Sequence, residues 1–439
     1  MSSDFGRTRP LGDFVMLQRG TTYKSSLLGR AGPVLLGLAT IERNGGFRGD
    51  SLRTYGGDSP AKLMLGPGDL YVSLKDVTQA GDLLGAVSRV PATVAAGRLT
   101  QDTVRLDLVP GAPDGAYLYW LLRAPQYREY CRARATGTTN LSLSREDFLA
   151  FPVPPLTDAR RSLVVLLESI EAKIELNRRM NRTLESIARA IFKSWFVDFD
   201  PVRKKMEGKT GGELGLPPDL AALFPNSLAP SVAGPVPTEW PVLTVGDIAS
   251  LDKGVSYKGD FLQDHGLPMV NLGCFGPDGR FIVEKLKRYS GDFRIRHTVL
   301  PGDIVAANTD VTQKRLVLGR PAIVPQAKSA ERLLFSHHVY ALRFREDADY
   351  LRQFVFFWMQ TPLYRERAEG FATGTTVLGL PKEAILECPL LVPPRALVGA
   401  FNEVTDALRR LRMARDGEVE CLREIRDSLL PKLLAGTGL

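Results

Sequence analysis

The chain has few of the residues that build redox, metal and disulfide chemistry. Its 439 residues include four cysteines and four histidines. Cys131, Cys274, Cys388 and Cys421 stand apart, and no pair has metal-ligand spacing. A disulfide framework and a zinc site are not expected, and a reducing cytoplasmic compartment is. No apolar run approaches the ~20 residues that span a bilayer, so no membrane partner is expected. The run from Phe354 to Met359 reads as buried core. The opening MSSDFGRTRP has no apolar stretch of the signal-peptide kind.

Motifs for catalysis are also missing. No glycine-rich phosphate loop ending in Lys-Ser/Thr is present, which argues against an ATPase. An enzyme that methylates adenine needs a run such as Asn/Asp-Pro-Pro-Tyr/Phe to grip the flipped base. Asp200-Pro201-Val202 and Leu216-Pro217-Pro218-Asp219 do not supply it. No Asp…Glu-x-Lys nuclease cluster stands out; Glu168 with Glu175 and Glu383 with Glu387 read as helix surface. The chain is therefore expected to have no catalysis of its own and to bind no metal or cofactor.

What is present is a basic, well-filled chain: 44% apolar, net charge +8, pI about 9.3. The basic excess fits a nucleic-acid partner. Short β-type runs at 33–39, 69–74, 84–90 and 103–109, with one helical stretch at 116–134, predict a mixed α/β domain over residues 1–156. The run FPVPPL at 151–156 closes it, because consecutive prolines continue neither a helix nor a central strand. Thr157 or Asp158 then caps a helix. Residues 206–238, rich in Gly and Pro, read as a linker, and 239–394 as a second mixed domain.

Between and after these domains lie two heptad patterns. In 157–205 the seam is Leu163, Leu167, Ile170, Ile174, then Asn177 and Asn181, then Leu184, Ala188, Ile191 and Trp195. In 395–439 it is Leu397, Phe401, Val404, Leu408, Leu411, then Arg415 and Glu418, then Leu422, Ile425 and Leu429, with Pro431 as the stop. Each seam has a polar interruption near its middle. An antiparallel pair would bring Asn177 and Asn181 to the 413–418 region and fix the register. Trp195 and Phe196, with Phe192 and Phe199, are expected at the end of the coiled coil or against another subunit. The alternative is two independent amphipathic helices.

The two halves repeat. Tyr23-Lys24 matches Tyr257-Lys258, and PGDLYVSLKDVTQ (67–79) matches PGDIVAANTDVTQ (301–313), both at an offset of 234. TGTT recurs at 136–139 and 373–376, an offset of 237. The predicted fold is α+β: two mixed α/β domains in tandem, separated by two long antiparallel coiled-coil helices with pseudo-two-fold symmetry. Two equivalent modules on a helical rod of ~50 Å suit duplex DNA, whose successive grooves on one side lie ~34–36 Å apart.

The run AIFKSWFVDFDPVRKKMEG (190–208) closely resembles the end of the central helix in specificity subunits of type I restriction–modification systems. LPPDLAALFP (216–225) and GPVPTEW (234–240) resemble the same family, and the resemblance covers nearly the whole chain. One departure is that the first domain begins at Leu11-Gly12-Asp13 without a Pro-x-x-Trp lead. The resemblance implies that each domain is a target-recognition domain reading half of a bipartite, asymmetric DNA site. It implies that the helices set the unread gap and dock two methyltransferase (modification) subunits that use S-adenosylmethionine. It further implies restriction/translocase subunits that use ATP and Mg. Other readings are a specificity component of a stand-alone methylation system, or a coiled-coil scaffold that binds proteins.

The candidate DNA-binding residues are Tyr23, Lys24, Lys75, Gln79, Thr138 and Thr139 in the first half. In the second they are Tyr257, Lys258, Asn308, Thr309, Gln313, Lys314, Arg315, Thr375 and Thr376. Gln and Asn can bond an adenine edge, and Lys or Arg guanine or phosphate. The shared Asp-Val-Thr-Gln reads equally as a turn, since Asp and Thr bond nearby backbone. TGTT reads as a structural turn or a phosphate contact, and His337-His338 as at least partly buried.

Overall fold

The computed structural model describes residues 8–49, 52–138, 140–231, 234–276, 279–311, 315–326, 331–375 and 377–435. The chain divides into two compact units, Met1–Met180 with Ala414–Leu439, and Asn181–Met413. Both long helices cross that division, so each unit contains part of each helix.

Unit 1 has a four-stranded antiparallel sheet in the order Val15–Arg19, Thr103–Leu108, Leu70–Ser73, Val87–Arg89. A smaller sheet pairs Gly97–Leu99 in parallel with Val34–Leu36 and antiparallel with Met64–Leu65. Leu36, Leu99, Tyr71 and Ala86 form one core between these sheets. The expected helix at 116–134 is two helices, Gly115–Leu121 and Pro125–Ala133. Pro125 cannot extend the first helix but starts the second, where its missing N–H costs nothing.

Unit 2 repeats this plan. Its four-stranded sheet runs Ala249–Lys253, Val339–Phe344, Ile304–Ala307, Pro321–Ile323, the equivalent order. Its second sheet again has a parallel pair, Leu262–Val270 with Leu333–Phe335, and adds Lys287–Tyr289 at one edge. The run from Phe354 to Met359 lies in and beside the core, with Phe354, Val355, Trp358 and Met359 buried.

The first long helix, Asp158–Phe196, has 39 residues and is about 58 Å long at ~1.5 Å per residue. The Thr157 hydroxyl accepts from the Arg160 amide at its start. It ends where Phe199 adopts a left-handed conformation (φ 57°) before Asp200-Pro201 opens a new helix. The second, Arg395–Leu429, stops before Pro431. Within unit 1 the two run antiparallel: Arg160 donates to the Leu433 carbonyl, Arg426 to Glu171, and Asn177 to Glu418.

One expectation about the helices needs correction. Leu411 and Ile425 are 49% and 43% exposed, whereas Val419 and the half-buried Arg426 face inward. A helix of 3.6 residues per turn drifts ~20° per heptad against a strict seven-residue repeat, so the inward position moves on by one residue. Trp195 and Phe196, at the end of the first long helix, pack on Phe401 of the second, and Phe192, Phe354 and Trp240 extend that coiled-coil end into the core of unit 2. The stretch expected as a linker also joins that core. Leu214, Ala221 and Phe224 are buried, and Lys205 Nζ donates to the Phe224 carbonyl at 2.6 Å.

Candidate nucleic-acid interface

In unit 1 the chain leaves the strand Val15–Arg19 at Gly20. A Cβ there would collide with the Thr100 carbonyl, so only glycine lets the two segments meet. Thr21 bridges to Thr100, and Tyr23-Lys24 follows as an exposed turn. Tyr55 holds that turn: its hydroxyl accepts the Lys24 amide at 3.2 Å, and its ring meets Tyr23 edge-on at 6.1 Å. The buried Arg98 lies against the Tyr55 ring and donates to Thr21 Oγ1, the Thr22 carbonyl and the Asp58 carbonyl. Arg19 and Arg53 are exposed nearby in the chain.

Unit 2 builds the same feature with Gly254, whose Cβ would strike the Phe335 carbonyl, and the bridge Val255–Ser336. Tyr257 meets Tyr289 at 6.5 Å and His337 at 5.7 Å, and Lys287 Nζ lies 5.9 Å from the Tyr257 ring centre. Lys258, like Lys24, opens a 3-10 turn with its side chain exposed. The 234-residue offset thus extends to Arg19 with Lys253, Arg53 with Lys287, and Tyr55 with Tyr289. These residues were missed in the sequence, although extending the offset would have found them.

The aspartate that opens each Asp-Val-Thr-Gln run is an internal anchor. Asp76 is fully buried; its carboxylate accepts the Thr78 amide and hydroxyl and the Leu83 amide at 2.7–2.9 Å. Asp310 is also fully buried and accepts the Val317 amide at 2.8 Å, at the equivalent position. The shared aspartate therefore shapes the loop. Lys75-Asp76 pairs with Leu141-Ser142, and Thr309-Asp310 with Leu378-Gly379, and Thr136 and Thr373 bridge to Ser142 and Gly379 of those same strands. Gln79 Nε2 donates to the Thr138 carbonyl at 3.2 Å, which joins the Asp-Val-Thr-Gln run to the TGTT run in unit 1.

Other candidates sit differently from expectation. Asn308 and Thr309 are buried, not exposed on a loop: Asn308 donates to the His337 carbonyl, and Thr309 to Asn308 Oδ1. The Arg315 guanidinium donates to the Glu369 carbonyl at 2.9 Å. Thr375 is exposed. Thr139, Gln313, Lys314 and Thr376 lie outside the described residues.

Acidic groups on the helix pair hold structure together. Glu168 accepts both Arg89 amines (2.9 and 3.1 Å) and the Trp120 indole (2.6 Å). Burial alone would raise the Glu171 carboxyl, but Arg123 and Arg426 outweigh it and hold it below the usual range. Burial pushes the thiols of Cys274 and Cys388 up to about 11, which disfavours thiolate chemistry near neutrality. Among the described residues, no His/Cys/Asp/Glu group could hold a metal, and no helix is long and apolar enough to cross a membrane.

No family model matches the chain. Curated proteins do. The type I restriction enzyme HindI specificity subunit of Haemophilus influenzae is 24% identical over 361 residues, 73% of this chain and 76% of that protein. The type I restriction enzyme MjaIX specificity subunit of Methanocaldococcus jannaschii is 23% identical over 369 residues, 80% and 76% of the two chains. Over most of its length this chain is similar to type I restriction enzyme specificity subunits. A crystal structure of a type I restriction–modification S subunit from M. genitalium aligns with TM-score 0.49 and 14% identity, covering 99% of this chain and 97% of that one.

Proposed function

We propose that the chain selects DNA for a type I restriction–modification complex. Each unit reads one half of a bipartite, asymmetric site. The long helices set the gap between the halves and carry two methyltransferase subunits. Restriction/translocase subunits join the same assembly. The chain itself is not catalytic; S-adenosylmethionine belongs to the methyltransferase subunits, and ATP with Mg to the restriction subunits.

One observation carries this reading. The same fold occurs twice, with basic and aromatic residues at corresponding positions of one turn and dissimilar residues at many other positions. Shared basic residues suit a shared ligand, the phosphate backbone, and differing residues suit two different base sequences. The chain assembled with its methyltransferase partner should prefer one bipartite duplex over random duplexes of equal length in a gel-shift competition. An assembly that binds both equally would end the proposal. Binding of proteins but no DNA by the domains would favour the scaffold reading instead.

A further inference from the structure

The strand Gly97–Leu99 in unit 1 passes to Thr103–Leu108 through the turn Gln101-Asp102. In unit 2, Leu333–Phe335 passes to Val339–Phe344 through His337-His338. Both strands of each pair are offset by 236 residues, so Gln101 corresponds to His337 and Asp102 to His338. The backbone around the two turns is alike: Gly20 donates to the Thr103 carbonyl at 3.1 Å, and Gly254 to the Val339 carbonyl at 3.3 Å.

The side chains at these positions make equivalent contacts with different chemistry. In unit 1, Asp102 lies 3.8 Å from Lys75 Nζ, beside a cleft of about 210 Å³ that also reaches Asn140 and Ser142. In unit 2 the same two positions are His338 and Thr309, whose Nδ1 and Oγ1 are 3.2 Å apart. Gln101 is exposed, and His337 is half-buried with its ring centre 3.8 Å from that of His338. A cation of constant sign accompanies both turns: Arg19 donates to the Gln101 carbonyl at 3.4 Å, and Lys253 acts on both His337 and His338.

We propose that Gln101-Asp102 and His337-His338 are the base-reading turns of the two units, each flanked by a phosphate clamp. The clamps are Arg19, Lys24 and Arg53 in one unit, and Lys253, Lys258 and Lys287 in the other. The proposal rests on the reading of the chain as a bipartite DNA reader. Two halves of a site that share a sugar-phosphate backbone and differ in bases need this division of labour. The charge is the same in both clamps and carries no sequence information. The turns differ in hydrogen-bonding capacity: an amide with both donors and acceptors beside a carboxylate that only accepts, against two imidazoles. A glutamine suits adenine N6/N7, a carboxylate suits the cytosine N4 amino group, and a neutral imidazole can serve a purine edge. Burial, with Lys253 and Lys287 adding to it for His338, lowers the affinity of both imidazoles for a proton and keeps them neutral at pH 7.

The test is a genome-wide map of N6-methyladenine in cells carrying the full-length chain or its variants. The wild type should give one bipartite methylated motif; no motif dependent on this chain would overturn the proposed function and this proposal with it. Given that motif, the double change Q101H/D102H should alter one half of it, and H337Q/H338D the other half. Where a double change lowers the melting temperature of the purified chain, the near-isosteric Asp102→Asn and His338→Gln decide instead. Each should relax preference in its own half by at least about tenfold. Variants that methylate the wild-type motif with undiminished stringency would overturn the reading turns and leave the proposed function standing. Arg53→Gln and Lys287→Gln should lower methylation evenly at all sites with the motif unchanged. A changed motif in either would overturn the division between clamp and turn.

Discussion

Asp76 and Asp310 show how much one buried carboxylate can organise. Asp76 is shielded from solvent, and it satisfies two backbone amides and a hydroxyl. Asp76→Ala would leave those donors without their acceptor, a cost of about 1–3 kcal/mol in urea unfolding. The exposed Val77 beside it, changed to Ala, should cost under about 0.5 kcal/mol. The histidines give a pH dependence. Burial, then neighbouring cations, places His297, His337 and His338 below their ordinary 6.5. All three are neutral in both states well above that pH. As the pH falls through 6.5 the unfolded chain takes up protons first, so stability declines until the folded groups also titrate. His338→Gln should flatten this decline in melting curves taken between pH 7.5 and 5. The sequence showed Asp76 as a possible turn residue but held no sign that Asn308 faces inward. Its polar type is the same in either place, and its burial depends on the His337 carbonyl, 29 residues away.

The long helices were the most legible elements, because apolar spacing alone specifies a helix and its inward face. The Asn177 layer was legible for the same reason: a polar residue in a seam needs a polar partner, and Glu418 provides it at 2.8 Å. Less legible were features set by contacts between distant segments. The drift that exposes Ile425 and turns Arg426 toward Glu171 follows from helix geometry accumulated over several turns. The packing of Phe224 on Trp195, ring centres 5.6 Å apart, makes part of a Gly/Pro-rich stretch into core. Phe401 tests this aromatic cluster. It is fully buried against Phe192, Trp195, Phe196 and Phe357. Phe401→Ala should cost about 3–5 kcal/mol in denaturant unfolding, whereas Leu411→Ala, at an exposed position on the same helix, should cost under about 1 kcal/mol.

At the scale of the whole molecule, the repeat was readable because its anchors survive in register, from Tyr23 and Tyr257 to the two buried aspartates. The proposed DNA complex should weaken steeply with salt. Neutralising Lys24 and Lys258 together should reduce the slope of log affinity against log salt by about 0.9 for each phosphate that no longer meets a lysine, as read by fluorescence anisotropy. Inserting four residues into the first long helix should change the gap of the methylated motif and leave its halves intact; altered halves with the old gap would remove the spacer role. The division of the chain also has a consequence for its synthesis. Unit 2 is one continuous stretch, 181–413, and has all its core residues once that stretch leaves the ribosome. Unit 1 needs residues from 414 onward, including Leu430 and Leu433, which are buried with Leu167 and Tyr117. The half translated first is therefore completed after the other, and until the residues from 414 onward emerge its unfinished core is a surface for chaperones to cover.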